Sequence, residues 1–128
     1  MKYINIEEAV QIHHFIINTM QGLKGYNETN LGYLHSALEQ IRNDEFYPHF
    51  LDKLTHLMFS CIKFHPFNDA NKRTSIALAM AFLHLNGKKI ENFAQYMEDK
   101  VIKVAENSLS KDDLRKVLQN FLHGKDKQ

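Results

Sequence analysis

The chain has 128 residues, 44% hydrophobic and 24% charged, which excludes a disordered or low-complexity chain and fits one folded domain. A formal net charge of +1 provides no whole-molecule field for nucleic acid or an anionic membrane surface, so neither is an expected partner. The single cysteine, Cys61, excludes an internal disulfide, and the longest apolar run, residues 76–83, is too short to span a bilayer; a cytoplasmic protein without a signal segment is the expectation.

Helical periodicity runs through nearly the whole sequence. Asn5 and Glu8 form a capping-box pattern that opens a first helix reaching about residue 20, with Val10, Ile12, Phe15, Ile16 and Met20 as its apolar surface. Gly22 and Gly25 then mark a turn. A second helix over about 31–42 carries the stripe Leu31, Leu34, Leu38 and Ile41. Residues 43–48 form a polar and aromatic connection. The third helix, about 49–64, bears Leu51, Leu54, Leu57, Met58, Cys61 and Ile62 over most of its circumference, the pattern of an interior helix.

The fourth helix, about 71–85, is more apolar still (SIALAMAFLHL) and closes at Asn86-Gly87. A fifth helix covers about 92–107. The sixth begins at Ser110, with Asp113 three residues on, and presents Leu114, Val117, Leu118, Phe121 and Leu122 up to Gly124. A polar tail, 124–128, follows, and no strand pattern is present. The expected fold is all-α: one domain over 1–128, a compact bundle of about six helices with the third and fourth buried at its centre.

Those two central helices are joined by HPFNDANKR, residues 65–73. Polar groups beside a core must be satisfied, and this link carries more of them than a connection needs. It feeds into a helix N-terminus, where free N–H groups and the helix dipole favour an anion. Lys72 and Arg73 sit in that first turn, unfavourably for the dipole unless a polyanion is bound. Arg73 can clamp phosphate oxygens bidentately and Lys72 acts as a point charge. Asp69 can hold a Mg²⁺ that bridges phosphate oxygens, Asn68 and Asn71 can orient groups without charge, and His65 suits a general base. Phe67 is expected to pin the loop by packing inward. From spacing alone two readings stay open: transfer of a phosphate-containing group, or a plain Asp69 cap with solvated cations.

HPFNDANKR resembles the Fic motif, His-Pro-Phe-x-(Asp or Glu)-Gly-Asn-(Gly or Lys)-Arg, which likewise joins two central helices. Within that family the chain is most similar to Doc, the death-on-curing toxins of toxin–antitoxin pairs, through NDANKRT at 68–74, the GLKGY turn at 22–26 and FLHLNG at 82–87. The resemblance implies that His65 activates a target hydroxyl, Asp69 binds the divalent cation, and Asn71, Lys72 and Arg73 cradle nucleotide phosphates, with Asn68 and Ala70 in the same pocket and Phe67 as anchor. Lys63 stands where some Doc proteins carry a second basic residue. Family members align the target with a flap before the motif helix, and residues 43–49 (NDEFYPH) are the expected match.

Two positions bear on the reaction. Fic adenylyltransferases usually have Gly where Ala70 stands and often Gly at Lys72; they transfer AMP. The Ala and Lys seen here resemble Doc, which implies a reversed nucleotide and transfer of the γ-phosphate of ATP, with Mg²⁺, to elongation factor Tu, blocking translation. Pro66 is typical of the Fic side, and AMP transfer is the alternative, followed by an idle Fic-like binding module. A self-inhibitory (Ser/Thr)-x-x-x-Glu motif is missing, since Tyr3, Ile4, Lys24, His35, Ile41, Gly87, Ala94 and Ile102 precede the glutamates by four. A separate antitoxin is therefore the expected inhibitor.

Bland readings suit the rest. Adjacent helical residues such as His13 and His14 point about 100° apart and chelate poorly. His49 and His56 lack an acidic partner, His84 reads as a satisfied histidine, and Cys61 as an inert buried thiol.

Overall fold

The computed structural model describes residues 1–124, so positions 125–128 of the expected polar tail lie outside the described residues. Six helices are present among them: α1 Ile6–Met20, α2 Glu28–Gln40, α3 Phe50–Lys63, α4 Asn71–Leu85, α5 Phe93–Ala105 and α6 Lys111–Leu122. The all-α expectation holds; the one β feature among the described residues is an isolated antiparallel bridge between Tyr26 and Phe67. No described helix is long and apolar enough to cross a membrane.

Helix ends follow local chemistry. Asn5 accepts from the Glu8 amide while the Glu8 carboxylate accepts from the Asn5 amide, and Ser110 and Asp113 repeat this box at α6. The second helix starts three residues earlier than its apolar stripe suggests, because Asn27 caps it through the Asn30 amide and its first turn is polar.

Helix α3 packs against α2, α4, α5 and α6, and α1 lies across α4 and α2. Leu54, Leu57, Met58, Cys61 and Ile62 of α3 are buried with Leu78, Ala79, Phe82 and Leu83 of α4, which places the expected pair at the centre. Burying such side chains contributes about 1.5–3 kcal/mol each, and this packing fixes where the α3–α4 link emerges. The first helix differs from expectation. Its buried side is Ala9, His13 and Ile17, at i, i+4 and i+8, whereas Phe15 is 72% exposed. Packing on α4 turns that stripe inward, histidine included.

Candidate active site

HPFNDANKR links the C-terminus of α3 to the N-terminus of α4, and its backbone is distinctive. His65 and Ala70 both have left-handed conformations, at φ 47 and φ 64. Such conformations cost a non-glycine residue about 1–2 kcal/mol and persist only where surrounding contacts enforce them.

Those contacts come from the turn between α1 and α2. The Asn27 amide donates to the Pro66 carbonyl at 3.0 Å, and the Asn68 amide donates to the Gly25 carbonyl at 3.0 Å, so the segments pair around the Tyr26–Phe67 bridge. Gly25, at φ 95, supplies the backbone turn this pairing requires. The Asn68 side chain donates to the Lys24 carbonyl at 2.9 Å, and Asn30 of α2 donates to the His65 carbonyl at 3.3 Å.

Asp69 is held on three sides. Its carboxylate accepts from the Leu23 amide at 3.0 Å and from the Ala70 amide at 2.9 Å, while its carbonyl accepts from His13 Nε2 at 2.9 Å. A carbonyl cannot donate, so His13 carries its proton on Nε2. Burial lowers the His13 pKa, which suits a neutral ring. The Leu23 and Ala70 amides lower the Asp69 pKa, with smaller help from the Arg73 charge, so the carboxylate is ionised well below neutral pH.

Phe67 anchors the loop as expected: it is 3% exposed and stacks on His13, with ring centroids 3.8 Å apart and planes 7° from parallel. Asn71 closes the loop from within. Its Oδ1 accepts from the Phe67 amide at 3.0 Å and its Nδ2 donates to the Phe67 carbonyl at 2.9 Å, so both ends of the carboxamide are already engaged. The Cys61 thiol donates to the Asn71 carbonyl at 3.6 Å, and burial pushes its pKa up to about 12, as an inert thiol requires.

The N-cap of α4 is Ala70, which has no side-chain acceptor for the first amides of the helix. Lys72 and Arg73 follow, exposed, and among the described residues neither has a carboxylate within ion-pair distance; Arg73 Nη1 donates to Met20 Sδ at 3.6 Å. These groups open onto a cleft of about 810 Å³, together with His65, Asn68, Asp69 and Asn71. Its floor is apolar, from Ile16 and Met20 of α1 and Ile76, Ala77 and Met80 of α4. The far wall is α5, which presents Gln95 and Glu98 beside Val101 and Ile102.

A positively charged, uncapped helix end beside a histidine, over an apolar floor, is suited to a phosphorylated ligand with an apolar or aromatic part. The profile of the Fic/DOC family matches residues 3–83, more than half of the chain and all of the α3–α4 link. The chain belongs to the Fic/DOC family. It is also 30% identical over 94 residues to the "Protein kinase doc" of Escherichia phage P1, an alignment covering 70% of this chain and 72% of that protein. The Fic/DOC match ends before α5, so the Gln95–Glu98 wall of the cleft lies outside it.

Two expectations need correction within this Fic/DOC site. Lys63 does not line the cleft; its ammonium donates to the Val104 carbonyl at 3.3 Å and to Asn107 Oδ1, where it caps the end of α5. Residues 43–49 do not neighbour the motif either. They precede α3 and the motif follows it, so the 14-residue helix separates them by about 21 Å at roughly 1.5 Å per residue. They are held there by Lys53, which donates to Asp44 at 2.7 Å, and by Tyr47 packing on His56. The segment beside the motif is 22–27 instead.

Other histidines have structural or surface places. His56 donates from Nε2 to Gln40 and accepts from Lys111 at Nδ1; burial first, then the Lys111 charge, push its pKa down to about 4. His84 is exposed near the end of α4. Among the described residues no three His, Cys, Asp or Glu side chains cluster to hold a metal. His13 differs from its neighbour His14 by its place on the buried 9–13–17 spacing, the sequence signal that sets it inside.

Proposed function

We propose that this protein is a Doc-type toxin that transfers the γ-phosphoryl group of ATP to a hydroxyl of a protein target in the cytoplasm. The observation that carries the reading is the α4 N-terminus without a side-chain cap, bearing Lys72 and Arg73 with no ion-pair partner among the described residues and opening on the same cleft as His65. Similarity to a relative named protein kinase supports phosphoryl transfer over transfer of AMP.

In this reading the target hydroxyl oxygen attacks the γ-phosphorus, its proton passes to His65, and the bond to the β–γ bridging oxygen breaks to leave ADP. No proton acceptor other than the imidazole is required. Lys72, Arg73 and the first amides of α4 stabilise the charge on the transferring group. Asn68 and Asn71 act by holding the loop, and Ala70 by leaving the amides uncapped. Asp69 fits a Mg²⁺: each carboxylate oxygen accepts one backbone bond and keeps a lone pair, and phosphates and water would complete the shell. When bound, that cation supplies charge neutralisation between the phosphates. Gln95 and Glu98, which line the same cleft, take the sugar hydroxyls or base in this reading. Segment 22–27, paired with the motif, takes over the target-aligning role expected of 43–49.

The Doc resemblance extends the proposal to elongation factor Tu as target and a cognate antitoxin as inhibitor. Incubation with elongation factor Tu and ATP labelled at the γ- or the α-phosphate tests it. Label on the target from γ-ATP alone is the expected result, abolished in His65→Ala. Label from α-ATP would replace the kinase reading with adenylyl transfer.

A further inference from the structure

His65, Asn68, Asp69 and Ala70 face the cleft from the loop backbone ahead of α4, and one side chain of α1 touches that backbone at Asp69. His13 is 4% exposed, between Ala9 and Ile17 on the buried stripe. An aliphatic residue would fill such a place. The imidazole does two further things: its Nε2 donates to the Asp69 carbonyl at 2.9 Å, and its face covers Phe67 at 3.8 Å. It does not line the cleft.

The remaining freedom of Asp69 is rotation about its own backbone, and that is what these contacts limit. With the carbonyl tied to α1, the carboxylate turns toward the α1–α2 turn, where Leu23 offers its amide at 3.0 Å. Leu23 follows α1 directly through Gln21 and Gly22, so both anchors belong to one continuous stretch of chain. Release of the carbonyl would let the 69–70 peptide rotate, and the left-handed Ala70 would be free to relax.

We infer that His13 is a positioning residue for the motif loop, fixing the direction of the Asp69 carboxylate through the Asp69 carbonyl and the Phe67 ring. Its consequence for cation and nucleotide binding rests on the function proposed above; its structural content does not.

The test compares His13→Phe and His13→Met, which remove the donor, with His13→Gln, whose carboxamide can donate as Nε2 does. Amide hydrogen exchange is measured by NMR on the unliganded full chain, and Mg²⁺-ATP affinity by calorimetry. Expected in the donor-free variants is exchange at Leu23 and Ala70 at least tenfold faster, with the Leu57 and Leu78 amides unchanged. Mg²⁺-ATP binding weakens at least fivefold, and His13→Gln restores most of both. Unchanged Leu23 and Ala70 exchange in His13→Phe or His13→Met would overturn the inference. So would global unfolding of both, because His13 would then be a core residue only. If the wild-type chain binds no Mg²⁺-ATP, the proposed function fails while the exchange data still decide the role of His13.

Discussion

The Leu23 amide reaches the Asp69 carboxylate at 3.0 Å across 46 residues of sequence, so the turn after α1 and the loop before α4 form one hydrogen-bonded unit. Gly22 makes this approach sterically feasible. A Cβ there would stand 2.6 Å from Asp69 Oδ2 and 3.0 Å from the Ile17 side chain. Gly22→Ala must displace the carboxylate, and loss of its bond to Leu23 should destabilise the fold by about 1–3 kcal/mol. Urea denaturation measures this. Gly32→Ala is the control: it lies within α2 with nothing near its Cβ, and should stabilise by about 0.5–1 kcal/mol.

Ala70 holds a left-handed conformation at φ 64. Glycine adopts it without the steric penalty of a Cβ, so Ala70→Gly should raise the melting temperature slightly, by the equivalent of about 0.5–1 kcal/mol. A β-branched side chain is worse in that region, and Ala70→Val should lower stability by about 1–2 kcal/mol. Thermal melts of the pair decide whether residue 70 is strained.

Asn71 is engaged at both ends by Phe67. Asn71→Asp keeps an acceptor for the Phe67 amide but sets a carboxylate oxygen against the Phe67 carbonyl. The loss should be about 1–3 kcal/mol, and it should exceed that of Asn71→Ser. Equal stability of Asn71→Asp and wild type by denaturant titration would show that the carboxamide is not the loop's staple.

Lys53 is 1% exposed, and its ammonium donates to the Ile41 carbonyl at 2.5 Å and to Asp44 at 2.7 Å. Burial lowers its pKa, but the hydrogen bonds to Asp44 and Tyr3 outweigh that and raise it overall. The folded state therefore holds the proton more tightly than the unfolded chain. This contribution is complete below the ordinary lysine pKa and is lost as pH rises through the raised value. Lys53→Met should lower stability by about 1–3 kcal/mol near neutrality. Its deficit should shrink in melts run toward about pH 12, beyond the ordinary lysine value of about 10.4.

What was legible in the sequence was local. The capping boxes at Asn5 and Ser110, the six helices, the interior character of α3 and α4, and the anchoring of Phe67 follow from spacing within one or two turns of chain. Cys61 belongs with them, since an apolar neighbourhood on an all-round apolar helix predicts burial. The position of HPFNDANKR between the two central helices was set by the same signals, and so was the cation-bearing start of α4.

Tertiary structure alone decided who meets the motif. Spacing could not show that 22–27 rather than 43–49 lies beside it, that Lys63 caps α5 instead of facing the cleft, or that His13 reaches the Asp69 carbonyl. Each contact joins segments 40 or more residues apart, apart from the placing of 43–49 at the opposite end of α3. Such meetings depend on how α1 lies across α4 and how α5 closes over α3, which side-chain packing between helices settles. The sequence determined which chemistry the loop carries; helix packing determined which way that chemistry points.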